Sequence, residues 1–136
     1  MISINTLKEI FSTDKLNEIF PPDRTDLFFE ALFGDASEGA YDVRLIFEKA
    51  DNNVLRFAFE LQERQGHCLV CSLTYGLPHV FSKHPIINVN GIVEQIQNLI
   101  EDKAKITDWS LERTFQKEAK IHIIPIKIII DQPIIS

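Results

Sequence analysis

The sequence predicts an α+β domain: N-terminal helices, a three-stranded antiparallel meander, a further helix and a C-terminal β-hairpin, with the helices packed on one antiparallel sheet. Three observations predict it. YDVRLIFE, VLRFAFELQER and CLVCSLTY alternate apolar and polar residues and are separated by short turns. The segments on either side carry apolar residues at helical spacing. The 136 residues are 45% hydrophobic and 25% charged, with ten Phe and five Gly, which suits a single folded domain over 1–136 whose core needs no metal or disulfide.

Each element can be justified in turn. Residues 4–20 place Leu7, Ile10 and Phe11, then Leu16, Ile19 and Phe20, at helical intervals. Ser12 and Thr13 interrupt the run, and either can cap a second short helix before Pro21 and Pro22 end it. DRTDLFFEALFG opens with acids, which suit a helix N-terminus, and closes on Gly34. In the first strand Tyr41, Val43, Leu45 and Phe47 share a face. In the second, Leu55, Phe57, Phe59 and Leu61 share one face, and Arg56, Glu60 and Gln62 the other. Residues 68–75 make the third strand, and 76–89 a loop with two prolines. Asn88 or Asn90 can cap the helix GIVEQIQNLIEDKAK. WSLERTF and IHIIPIKIII then form a hairpin turning at QKEA.

Charge narrows the function. The net charge is −6 with no Lys/Arg cluster, which speaks against nucleic acid and against an anionic membrane surface as partners. No run of 18 apolar residues predicts a spanning helix. MISINTLKEIF lacks a basic start and a cleavage site, so no signal peptide is expected. Both cysteines are therefore expected as reduced thiols in a cytoplasmic protein.

The cysteines and three of the four histidines fall within residues 67–84. Cys68, Cys71, His79 and His84 resemble a zinc ligand set in composition. The residues between the cysteines, Leu69 and Val70, are strand formers, and a strand holds positions three apart on opposite faces, ~10 Å apart. One ion cannot then take both thiolates, although one Cys with His79 and His84 could serve. Cys71 also has His79, Lys83 and His84 within reach as partners for a reactive thiol, but no oxyanion-hole signature surrounds it. The structural reading makes Cys71 a core residue beside Leu69, Leu73 and Tyr75. If this region binds a ligand, Cys71, Tyr75, His79, Lys83 and His84 line the site, where strand meets loop. His122, in an apolar strand, is expected as a packed or edge residue. The sequence does not identify a cofactor, and a metal at this cluster stays open.

IHIIPIKIII is the most apolar window. Ile124, Ile126, Ile128 and Ile130 lie on one face, and Ile121, Ile123, Pro125, Lys127 and Ile129 on the other. Two apolar faces suggest a central strand, but Pro125 suggests an edge. A second copy covering that edge resolves the conflict, which predicts a homodimer through the C-terminal strand.

The stretch from PPDRTDLFFEALFG through AYDVRLIF, FAFELQER and CLVCSLTYGLPHVF to HPIINVNGIVEQI resembles a family of small uncharacterised bacterial proteins over about residues 20–100. The resemblance implies a bacterial cytoplasmic protein and carries no activity or site residue. The element order is also similar to type III secretion chaperones, in architecture only. Double-stranded-RNA-binding domains share part of that order, but NVNGIVEQ lacks the lysines they use on phosphates. Together these features favour a non-enzymatic module that binds a protein or a small molecule. The alternative is a metal- or thiol-dependent enzyme using the 67–84 cluster.

Overall fold

The most apolar stretch of the chain runs through the middle of its sheet. The computed structural model describes residues 1–21, 23–33, 41–64, 84 and 86–135. In chain order these form β1 (Ile2–Ser3), α1 (Ile4–Ile10), α2 (Thr13–Ile19), α3 (Asp23–Phe33), β2 (Tyr41–Asp51), β3 (Val54–Glu63), α4 (Val89–Ile100), β4 (Ile106–Leu111), β5 (Phe115–Glu118), β6 (Ile121–Ile130) and β7 (Ile134–Ile135). The main sheet has the order β2-β3-β6-β4, with β5 also on β6, and every pairing in it is antiparallel. The termini add a small parallel pair, β1 with β7. Among the described residues no helix is long and apolar enough to cross a membrane.

β6 explains its own proline. Pro125 lies opposite Ala58 on β3, and its carbonyl accepts the Glu112 N–H at 2.9 Å on the opposite side. The backbone N and O of one residue point the same way, so the missing donor of Pro125 faces residues 112–114. That is where β4 ends and β5 has not begun. A proline thus fits an interior strand, because its neighbour is interrupted there. Both edges of β6 are occupied by the same chain, so the uncovered edge that called for a second copy does not exist.

Other details differ from expectation. The second edge of β3 is filled by β6 from Val54 to Gln62, and residues 68–75, expected as the third strand, lie outside the described residues. β6 can offer a core-facing isoleucine at every second position, which suits the wholly buried Leu55, Phe57 and Phe59 opposite. The C-terminal hairpin forms, with its turn at Ala119–Lys120 rather than across QKEA. Of the two capping candidates it is Ser12 that caps α2, accepting the Lys15 N–H at 3.3 Å.

α4 starts at Val89, two residues before GIVEQ. Its cap is Asn88, in the left-handed conformation (φ 51°), whose Oδ1 accepts the Gly91 N–H at 3.2 Å. A Cβ at Gly91 would run into that amide, so glycine permits the cap. The helix stops at Ile100, short of the expected residue 105, because Glu101 takes a positive φ of 53°.

One face of the sheet carries the core. Leu55, Phe57, Phe59 and Leu61 meet Ile124, Ile126 and Ile128, and Leu7, Phe11, Leu16, Ile19, Phe20, Ile92, Ile96 and Ile100 close over them from the helices. Phe11 packs on Phe57 at 4.8 Å and on Phe47 at 5.2 Å, while Phe20 packs on Phe59 at 5.5 Å. On the opposite face Ala58 and Ile123 are also wholly buried, beside the buried carboxylate of Glu60. Arg44 Nε holds that carboxylate at 2.7 Å.

Candidate functional site

Of the five residues expected to line a site, the structure describes His84; Cys71, Tyr75, His79 and Lys83 lie outside the described residues. His84 is half-buried in the turn leading into α4. Its ring stands edge-on against Phe28 of α3, with centroids 4.8 Å apart. Its Nδ1 accepts the Ile86 N–H at 3.2 Å, and its carbonyl accepts the Asn88 N–H at 2.9 Å. With Nδ1 accepting, the proton of the neutral ring is on Nε2. Nε2 is then a donor, and ligating a metal through it would cost the Ile86 bond. His84 thus serves to position the helix start. Among the described residues no three His, Cys, Asp or Glu side chains are grouped to hold an ion.

His122 is more unusual than its sequence context suggests. It lies on the core face of β6 between Leu61 and Gln116, 4% exposed. Its Nδ1 is buried and has no hydrogen-bond partner among the described residues. An orphaned buried polar atom costs about 1–3 kcal/mol, whereas an apolar group of similar size in its place costs nothing of that kind. His122→Leu is therefore expected to raise stability by about 1 kcal/mol, read as a higher urea midpoint at unchanged slope. An unchanged or lowered midpoint would show that the imidazole is satisfied.

The arrangement best suited to recognition lies between α4 and β4. α4 turns Ile92, Val93, Ile96 and Ile100 into the core. Gln97, at the margin of that stripe, joins the two elements. Its Nε2 donates to the carbonyls of Glu101 (3.0 Å) and Ala104 (2.9 Å), and its Oε1 accepts the Ile106 N–H at 2.8 Å. β4 is thereby held beside the helix as one outer strand of the sheet. A groove of about 370 Å³ runs between them, lined by Val93, Glu94, Gln97, Ile106, Thr107, Asp108 and Trp109. A bulge at Thr107 shifts the register there.

The open edge of β4 follows from the pairing. Because Glu112 N–H bonds Pro125, the residues of β4 that face β6 are the even ones, 108 and 110. Trp109 and Leu111 direct their backbone groups outward. The Trp109 N–H is taken by Asp108 Oδ1 at 2.9 Å. The Trp109 carbonyl and both backbone groups of Leu111 have no partner among the described residues. The side chains of both residues are half-buried beside the groove.

The opposite edge of the sheet is treated differently. Thr25 of α3 closes β2 at Val43 by donating to its carbonyl (3.2 Å) and accepting its N–H (3.1 Å). Arg64 adds bonds to Asp26 and Asp42 at 2.8 and 2.9 Å. A cleft of about 280 Å³ beside β2 is lined by Asn17, Asp42, Val43, Arg44, Glu60 and Gln62, but its buried acid, Glu60, already pairs with Arg44. Burial also pushes the Tyr41 hydroxyl at this edge to a higher pKa, so it stays protonated. The residues of the α4–β4 groove were not legible as a site beforehand. The one signal was a lone tryptophan in a strand with an acid before it.

No family model matches the chain, and no curated protein matches it. Two solved structures are similar at 14% identity: a member of the H-NOX family studied for heme distortion (TM-score 0.38), and an oxygen-binding H-NOX domain related to soluble guanylate cyclases (TM-score 0.37). Each likeness covers 98% of this chain and 58% of the other. At that TM-score it carries neither fold nor ligand across.

Proposed function

We propose that this chain is a non-enzymatic binding module that takes up an extended segment of a partner protein by strand addition along β4. The observation that carries this reading is the backbone edge at Trp109 and Leu111, open among the described residues and set beside the apolar floor of Val93, Ile106 and Trp109. An unpaired strand edge is a template for another strand. Each added backbone bond contributes about 0.5–1.5 kcal/mol net, so three open groups supply roughly 2–4 kcal/mol. A micromolar complex needs about 8 kcal/mol, and the remainder comes from side chains of the segment entering the groove.

Trp109 is the single tryptophan of the chain, so its emission reports the groove directly. A capped peptide of roughly eight residues alternating lysine and valine serves as the probe. Saturable change in Trp109 emission is expected, and Leu111→Pro should weaken binding at least about tenfold. The Leu111 N–H does not serve the ladder to β6, so proline is compatible with the fold there; it removes the outward donor together with the half-buried leucine side chain, and the N-methylated peptide below isolates the backbone bonds. Retained far-UV dichroism checks the fold. The same peptide with N-methylated alternate amides gives a second test that leaves the protein unaltered. If both changes leave binding intact, strand addition is wrong.

A further inference from the structure

We infer that the segment taken up by β4 carries basic side chains at alternate positions. This rests on the strand-addition reading and adds the chemistry of the partner. Two carboxylates line the groove, Glu94 from α4 and Asp108 from β4, and no cation lines it. Both are exposed, and neither makes an ion pair among the described residues. Lys103 and Lys105 sit in the turn before β4, outside the groove, and the Lys105 backbone is fixed by its N–H to Asp131 Oδ1 at 2.7 Å. Glu112, next along the same edge, is already paired with Arg56 at 2.7 Å. The unpaired acids are thus those an incoming strand meets.

The geometry favours a long cationic side chain. Its alkyl stem can lie along Val93 and the face of Trp109 while its head reaches Glu94. Asp108 lies on the other face of the sheet, which side chains at those alternate positions do not reach, and it adds only to the negative field along the edge. A second copy of this chain is a poorer occupant. It would bring its own Glu94 and Asp108 to the same edge, in a protein of net charge −6.

The test compares three capped peptides by Trp109 emission: alternating lysine–valine, alternating glutamate–valine, and the N-methylated lysine–valine form. The lysine peptide is expected to bind at least about tenfold tighter than the glutamate peptide, and to weaken by a similar factor when salt rises from about 0.05 to 0.5 M. Glu94→Gln with Asp108→Asn should remove most of that difference. Asparagine keeps the acceptor for the Trp109 N–H, so the edge stays as it is. If the glutamate peptide binds within about twofold of the lysine peptide, the charge inference is overturned while strand addition stands. N-methylated lysine peptide binding undiminished overturns strand addition, and the inference with it. A native mass of two chains, with Trp109 silent to every peptide, assigns the edge to a second copy and also overturns the inference.

Discussion

Phe57→Ala should lower the free energy of unfolding by about 3–5 kcal/mol, read from urea denaturation at an unchanged slope. Phe57 is wholly buried at the middle of β3, with Phe47 opposite on β2 and Ile126 opposite on β6. Its ring lies 5.1 Å from that of Phe47 and 4.8 Å, nearly perpendicular, from that of Phe11 at the end of α1. Truncation removes the buried ring and leaves a void that two strands and a helix terminus cannot fill without shifting. Since domains of this size are stable by only about 5–15 kcal/mol, the loss is a large share of the total. Phe115→Ala is the internal control. Phe115 is half-exposed on the other face of the sheet, and its loss should cost under about 1 kcal/mol. If Phe57→Ala cost no more than Phe115→Ala, the helices would not be sealing the sheet through this ring.

That contrast between two phenylalanines shows what the sequence makes legible. Alternation assigned Leu55, Phe57, Phe59 and Leu61 to one face and Arg56, Glu60 and Gln62 to the other, and the structure places them so. Facedness is local, fixed by a period of two within one strand. Neighbourhood is not local. β3 pairs with β6 across some sixty residues, and nothing within VLRFAFELQER names that partner. The same gap made Pro125 look like an edge marker: its tolerance depends on the interruption at 112–114 in a different strand.

The candidate site was harder still. Trp109 and Asp108 are visible in the sequence, but the open edge depends on which parity of β4 faces β6, and Gln97 gains its role only once α4 lies beside β4. His122 is the converse case, a residue that fits its apolar strand by position while its Nδ1 goes unmatched. Four of the five residues expected at the 67–84 cluster lie outside the described residues, and His84 is occupied by Ile86 and Phe28.

The second large effect is expected at the far edge of the sheet. Thr25→Val should cost about 2–4 kcal/mol, although it removes one oxygen and adds one methyl group. Thr25 is 1% exposed, and its Oγ1 serves both backbone groups of Val43, itself buried. Valine leaves an N–H and a carbonyl without partners in a site that water does not reach, at about 1–3 kcal/mol for each. The gain in apolar volume cannot offset this, because the hydroxyl stands where a neighbouring strand's backbone would be. Thr25→Ser keeps the oxygen and should lose no more than about 1 kcal/mol, the worth of the missing methyl group. The exposed ion pairs of Arg64 with Asp26 and Asp42 contribute little in comparison, since both acids are more than half exposed. Hydrogen exchange gives a reading specific to the contact. The Val43 amide should be protected in the native chain and in Thr25→Ser, and should exchange much faster in Thr25→Val under conditions where Phe57 remains protected. Equal protection of Val43 in all three would mean that α3 covers β2 by packing alone. The difference between the two sheet edges would then not be one of hydrogen bonding, and the open edge of β4 would lose its contrast.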